Sequence, residues 1–168
     1  MKTRIKFVPY RRKREGRTNY RKRLKLLVSG TTRMSVRKTN KHIIVQFIQY
    51  SDKGDHVIVT ATSENLKKSG WNHATGNLPA SYLTGLMAGK LALKKNVKDA
   101  IVDLGLQIPS SGSRLYAAVK GAIDAGVKIP CSQEAFPSED RLTGKHISDY
   151  RKNDILKVFQ EVKAKLSK

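Results

Sequence analysis

The run His42 to Tyr50, HIIVQFIQY, is apolar at both parities: Ile43, Val45 and Phe47 share one face of an extended segment, and Ile44 and Ile48 share the other. Successive side chains of a strand point to opposite faces. A strand of this kind is covered on both sides, so helices must lie on both faces of its sheet. The flanking segments agree. Arg33 to Lys38 alternates, with Met34 and Val36 on one side and Arg33, Ser35 and Arg37 on the other. Thr39-Asn40-Lys41 is a short turn in which Asn40 tolerates positive φ, and Ser51 to Asp55 is a second turn cluster before His56 to Ser63, HVIVTATS. Three sequential strands joined by short turns form an antiparallel meander.

The rest of the body alternates helix and strand. Pro79 suits a first helical turn, and Leu83, Leu86, Met87 and Leu91 follow it as an apolar stripe, with Gly85 and Gly89 placed for close packing against a sheet. Ala100-Ile101-Val102 is a short strand, parallel to its neighbour if the helix before it is a crossover. Ser113 to Ala125 is helical with Gly126 as its stop, and Val127-Lys128-Ile129 is a last short strand ending at Pro130. In the tail, Ile155, Val158, Phe159, Val162 and Leu166 recur at helical spacing within Asn153 to Leu166, a helix that docks on the body or on a neighbour. The fold class is α/β: a mixed β-sheet, a three-strand antiparallel meander followed by α-β-α-β, with helices on both faces, a basic N-terminal arm and a C-terminal helix. At 168 residues this is one folded body with appendages: an arm over 1–30, the α/β body over 31–130 and an extension over 131–168.

Charge separates the arm from the body. The chain has 34 Lys and Arg against 13 Asp and Glu, a net of +21, and residues 1–41 hold 16 of those bases with a single acid, Glu15. From Tyr10 to Lys25 the residues are good helix formers, yet the charges run all round the helical wheel, leaving no core face. Such a segment repels itself and needs a partner to order it; a phosphate backbone is one. Leu24, Leu26, Leu27 and Val28 anchor its end to the body, with Ser29-Gly30 as the stop. No stretch approaches the 18 or more consecutive apolar residues of a spanning helix, and the opening MKTRIKFVPY has no apolar core of a secretory signal. The lone Cys131 cannot form an internal disulfide, so a reducing compartment is expected.

The sequence offers no active site. An RNase H-type nuclease shares the βββαβαβ order but needs carboxylates clustered on strand ends to hold two cations; the first strand has no acid, and Asp99, Asp103 and Asp124 are accounted for by charge decoration and helix ends. His42, His56, His73 and His146 lie far apart with no companion ligands, so neither a metal nor another cofactor is indicated. Phosphate-binding glycine loops are missing as well. What remains is nucleic-acid contact chemistry. Lys and Arg neutralise phosphates with release of counterions, and Arg grips phosphate bidentately and stacks on bases. Tyr10 and Tyr20 can stack on unpaired bases. The turn Arg37-Lys38-Thr39-Asn40-Lys41-His42 gathers bases, an amide and an imidazole at a hairpin tip, and Gly70 to Asn77 is a polar loop carrying the only tryptophan, Trp71, which either stacks on RNA or caps the core. A general nucleic-acid chaperone would use the same arm without selectivity.

Five segments, RRKREGRTNYRKRLKLLVSG, RMSVRKTNKHI, GWNHATGNLPASYLTGLMAGKLA, AIVDLG and SRLYAAVKGAIDAGVKIP, closely resemble the large-subunit ribosomal protein eighteen family in its archaeal form, from about Pro9 to the tail. The resemblance implies a cytoplasmic ribosomal protein, not an enzyme. It would bind 5S rRNA, attach it to the central protuberance of the large subunit, and meet large-subunit rRNA and neighbouring ribosomal proteins. It further implies RNA contacts from Arg11, Arg12, Arg14, Arg17, Tyr20, Arg21, Arg23, Arg33, Arg37, Lys38, Asn40, Lys41 and His42, with Trp71, His73 and Asn77 from the loop. The arm is then expected to supply affinity and to order on contact.

Overall fold

The computed structural model describes residues 8–167, the last by its backbone alone; the first seven residues of the arm lie outside the described residues. The meander consists of β1 (Arg33–Lys38), β2 (Ile43–Gln49) and β3 (His56–Thr62), and β4 (Ile101–Asp103) joins it. The order across the sheet is β3-β2-β1-β4, antiparallel within the meander and parallel between β1 and β4. The register sets Val36 opposite Val45 and Met34 opposite Phe47. Those four side chains are fully buried, together with Ile43. Their face is covered by α3 (Leu78–Lys94) and α4 (Arg114–Asp124), which bring Ala88, Ala92, Leu115, Ala118 and Val119 onto the strands.

Helix α3 is buried on nearly every side because it lies between two apolar clusters. Its second neighbour is the C-terminal helix Ile155–Ser167 (α7 below), preceded by the short helices α5 (Glu139–Thr143) and α6 (Lys145–Arg151). Ile155, Phe159 and Val162 of α7 join Leu66, Trp71, Tyr82, Leu83 and Leu142 in a second core, where the Tyr82 and Phe159 rings lie 5.7 Å apart. The amphipathic tail therefore docks on the body. Gly85 has a different neighbour from the expected sheet: a Cβ there would run into the Ala118 carbonyl, and one at Gly121 into the Tyr82 carbonyl. The small residues let the α3 and α4 backbones touch. Burial of Tyr82, with its hydroxyl donating to Asp124 at 2.9 Å, raises the phenol's pKa, and burial raises that of the half-buried Cys131 thiol.

Two elements are shorter than the sequence pattern suggests. Val127 to Ile129 makes a single parallel bridge, Lys128 to Asp99, rather than a strand; Pro130 has no N–H with which to extend a ladder. The arm is broken into α1 (Arg11–Arg14) and α2 (Tyr20–Leu27) at Gly16, which takes φ +63°, a value that glycine adopts without a steric penalty.

Candidate nucleic-acid interface

Helix α2 starts where the Asn19 side chain accepts a hydrogen bond from the Lys22 N–H at 3.1 Å, satisfying one of the orphan donors of a first turn. Leu24 and Val28 stay largely exposed, at 65% and 80%, and only Leu26 and Leu27 are half-buried. The expected four-residue apolar anchor is thus half its size, since an eight-residue helix shows the body a single face. Polar tethers take its place. Arg23 Nη2 donates to both carboxylate oxygens of Asp55 at 2.8 Å, and Lys22 Nζ donates to the Gly105 carbonyl at 3.1 Å. These tethers hold α2 over the sheet face opposite α3 and α4, so helices flank both faces.

That outer face carries the odd side chains of β1. Arg33 is 2% exposed, lies 2.8 Å from Asp55 and donates to Asp103 at 3.3 Å. Arg37 donates to the Asp103 carbonyl at 2.6 Å and stands 3.4 Å from its carboxylate. Burial raises the Asp55 pKa, but the bonds and charges of Arg23 and Arg33 outweigh it, and the carboxyl is held below its ordinary value. A cleft of about 300 Å³ opens between the arm and this face, lined by Arg12, Arg17, Lys22, Arg23 and Arg37. Within the arm, Arg11 and Arg17 share Glu15 at 3.2 Å each, Arg12 Nε donates to Thr18 at 2.9 Å, and the Tyr10 and Tyr20 rings lie 5.3 Å apart. Arg14 and Arg21 are exposed.

The hairpin tip is closed by Thr39, whose N–H donates to the His42 carbonyl at 2.8 Å and whose hydroxyl accepts from the His42 N–H at 2.9 Å. Lys38, Asn40 and Lys41 are exposed around it. The loop before α3 folds against this tip. Thr75 Oγ1 donates to the Lys41 carbonyl at 2.8 Å and sits 3.1 Å from His42 Nδ1. A Cβ at Gly76 would sit tightly against the Asn40 and Lys41 carbonyls, at 3.0 and 3.1 Å, and Arg114 donates to the Gly76 carbonyl at 2.7 Å. Between tip and loop lies an open cleft lined by Asn40, Lys41, His42, Lys67, Thr75 and Asn77. Gln107 links this end of the sheet to the arm: its side-chain amide pairs with both the N–H and the carbonyl of Lys38, two residues along from the Gly105 carbonyl that holds Lys22.

The family model described as "Ribosomal large subunit proteins 60S L5, and 50S L18" matches residues 4–100, which span the arm, the meander and α3. The chain is 46% identical over 159 residues to the large ribosomal subunit protein uL18 of Methanothrix thermoacetophila, covering 95% of this chain and 94% of the relative. It is 47% identical over 163 residues to that of Methanoregula boonei, covering 96% and 94%. The chain belongs to the uL18 family. It is a protein of the large ribosomal subunit in the cytoplasm, works in translation and is not an enzyme. In this uL18 chain Asp103 is taken up by Arg33 and Arg37, and Asp124 by Tyr82 and Lys120. No group of three potential metal ligands occurs among the described residues.

The predicted contact residues of this uL18 chain divide by location. Arg11, Arg12, Arg14, Arg17, Tyr20, Arg21 and Arg23 lie on the arm, and Arg37, Lys38, Asn40, Lys41 and His42 reach the hairpin end. Arg33 and Trp71 are not brought to the surface. Arg33 is enclosed between two carboxylates, and Trp71, 1% exposed, packs in the second core with its Nε1 donating to the Ala74 carbonyl at 3.2 Å. His73 stands edge-on to Trp71 at 5.5 Å, and Asn77 caps α3 by accepting from the Ala80 N–H at 2.9 Å. Lys67, Thr75 and Arg114 are additions that sequence reasoning missed. Lys67 and Thr75 line the cleft at the hairpin tip and Arg114 holds the Gly76 carbonyl of the facing loop, each from a distant part of the chain, and no local spacing announces such a meeting.

Proposed function

We propose that this uL18 chain binds 5S rRNA and attaches it to the central protuberance of the large subunit, alongside large-subunit rRNA and neighbouring ribosomal proteins. The observation that carries the reading is the linkage of its two basic regions. Lys22 on Gly105 and Gln107 on Lys38 tie the arm to the hairpin tip, so the cations of both lie along one connected side of the body. Phosphates would be neutralised along that side, and affinity would fall as salt rises. Selectivity would come from RNA shape and splayed bases rather than from the deep groove of an A-form helix, with the Tyr10 and Tyr20 rings available for stacking.

Labelled 5S rRNA in competition with excess transfer RNA and duplex DNA, titrated with salt, tests this. The expected result is that 5S rRNA remains bound at roughly physiological salt, where unselective contacts weaken sharply. Equal competition by all three would make the chain a general nucleic-acid binder. That result would remove the 5S assignment.

A further inference from the structure

We propose that Asp55 is a positioning residue for RNA binding: its carboxylate fixes α2 on the body before contact, so that the outward cations of the arm are presented in a set geometry. The inference rests on the RNA-binding reading above and concerns how that surface is built.

Asp55 bridges two guanidiniums of unlike standing. Arg33 comes from β1, is 2% exposed, and is held on its other side by Asp103 at 3.3 Å, which makes it a fixed point of the body. Arg23 comes from the arm, and its Nη2 reaches both Asp55 oxygens at 2.8 Å, a charge-assisted contact shared between the two oxygens. The chain Asp103-Arg33-Asp55-Arg23 therefore runs from sheet to arm. A second tether ends on the same anchor: Gly105, whose carbonyl takes Lys22, donates its own N–H to Asp103 at 2.8 Å. Residues four apart share a helix face, and Arg21 and Lys25 are such a pair on α2, both exposed. With Lys22 and Arg23 tied inward, that pair is directed to solvent. The arm is expected to order on contact; on this proposal α2 is arranged beforehand.

Charge alone predicts the opposite sign. Asp55 is one of 13 acids in a chain of net +21, and neutralising an acid near an RNA-binding surface raises affinity on electrostatic grounds. Asp52 lies in the same turn cluster, is exposed, and supplies the control. Asp52→Asn and Asp55→Asn change net charge equally, and only the second cuts the tether.

Two readouts decide the matter: amide hydrogen exchange of α2 in RNA-free protein, and affinity for 5S rRNA at fixed salt. In Asp55→Asn, α2 should lose protection while β1 and β2 keep theirs. If the docked fraction falls from near one to about 0.1–0.3, the apparent Kd rises about three- to tenfold. Asp52→Asn should keep α2 protected and bind at least as tightly as the parent, and Asp55→Glu should recover most of the protection. Should Asp55→Asn unfold the body, Arg23→Gln leaves Arg33 paired and reads α2 protection alone. An α2 as protected in Asp55→Asn as in Asp52→Asn overturns the proposal, as does equal or tighter RNA binding by Asp55→Asn. A parent protein without preference for 5S rRNA sinks the 5S reading instead, while α2 exchange and affinity for any RNA still judge the role of Asp55.

Discussion

The two faces of β1 and β2 are built on different physics from the same alternating residues. On the inner face Met34, Val36, Ile43, Val45 and Phe47 are dry beneath α3 and α4. On the outer face Arg33 and Arg37 meet Asp55 and Asp103, while Gln46 donates to Thr60 at 3.2 Å and Ile44 and Ile48 are half-buried. Burial of apolar area is non-directional, so the inner face needs only volume and shape. The outer face depends on distances of about 3 Å and on ionisation, which gives it an orientation to impart. The inner face holds the fold, and the outer face aims the arm.

The largest break in that contrast should come from the inner face. Phe47→Ala empties the centre of the core and should lower unfolding free energy by about 3–5 kcal/mol, read as a shift of the urea midpoint. A loss under about 1 kcal/mol would mean that the inner face is not close-packed. Asp103→Ala comes next. It strips one partner from the buried Arg33 and the acceptor from the Gly105 N–H. Breaking a buried pair costs about 3–5 kcal/mol, and roughly 2–3 is expected here because Asp55 still faces Arg33. Unlike Phe47→Ala, it should also loosen Lys22 and the arm, visible as faster proteolysis between Arg11 and Lys25.

A smaller effect separates the faces by pH. The folded Asp55 carboxyl titrates below its ordinary 3.8 because Arg23 and Arg33 outweigh its burial. A depressed folded pKa adds stability that is fully present above the unfolded value and is lost as pH falls through the folded one. Acidification below about pH 4 should therefore weaken α2 docking while Phe47 and its neighbours are indifferent. Carbon-13 titration of the Asp55 carboxyl checks this, and a midpoint at or above 3.8 would show that the pairs do not form in solution.

Residue spacing made the inner face legible. Alternation in Arg33 to Lys38 and the double-parity run of β2 place the buried apolar residues Met34, Val36, Ile43, Val45 and Phe47 on one face, and the 3.6-residue spacing in the tail identifies α7. The outer face was legible only in part, because its partners are distant. Asp55 reads as turn decoration and Arg33 as an RNA contact until the fold sets them 2.8 Å apart. Trp71, likewise, can stack or pack by sequence, and only the docking of α7 decides for packing. The charge of the arm was plain from composition, whereas its break at Gly16 and its tethering needed coordinates.

The smallest effect on the fold should accompany a clear effect on binding, at Lys41. Its carbonyl is used by Thr75, while its side chain is exposed on the hairpin tip beside the cleft with Lys67. Truncating it leaves the backbone bond in place, so Lys41→Ala should change stability by no more than about 0.5 kcal/mol. If the ammonium meets one phosphate, the slope of log affinity against log salt should fall by about 0.7–0.9. Asp55→Asn should weaken binding by a different route, through the docked fraction of α2, with loss of its exchange protection. An unchanged slope in Lys41→Ala would take the Lys41 ammonium out of phosphate contact and leave the salt dependence to the other cations of the tip and the arm.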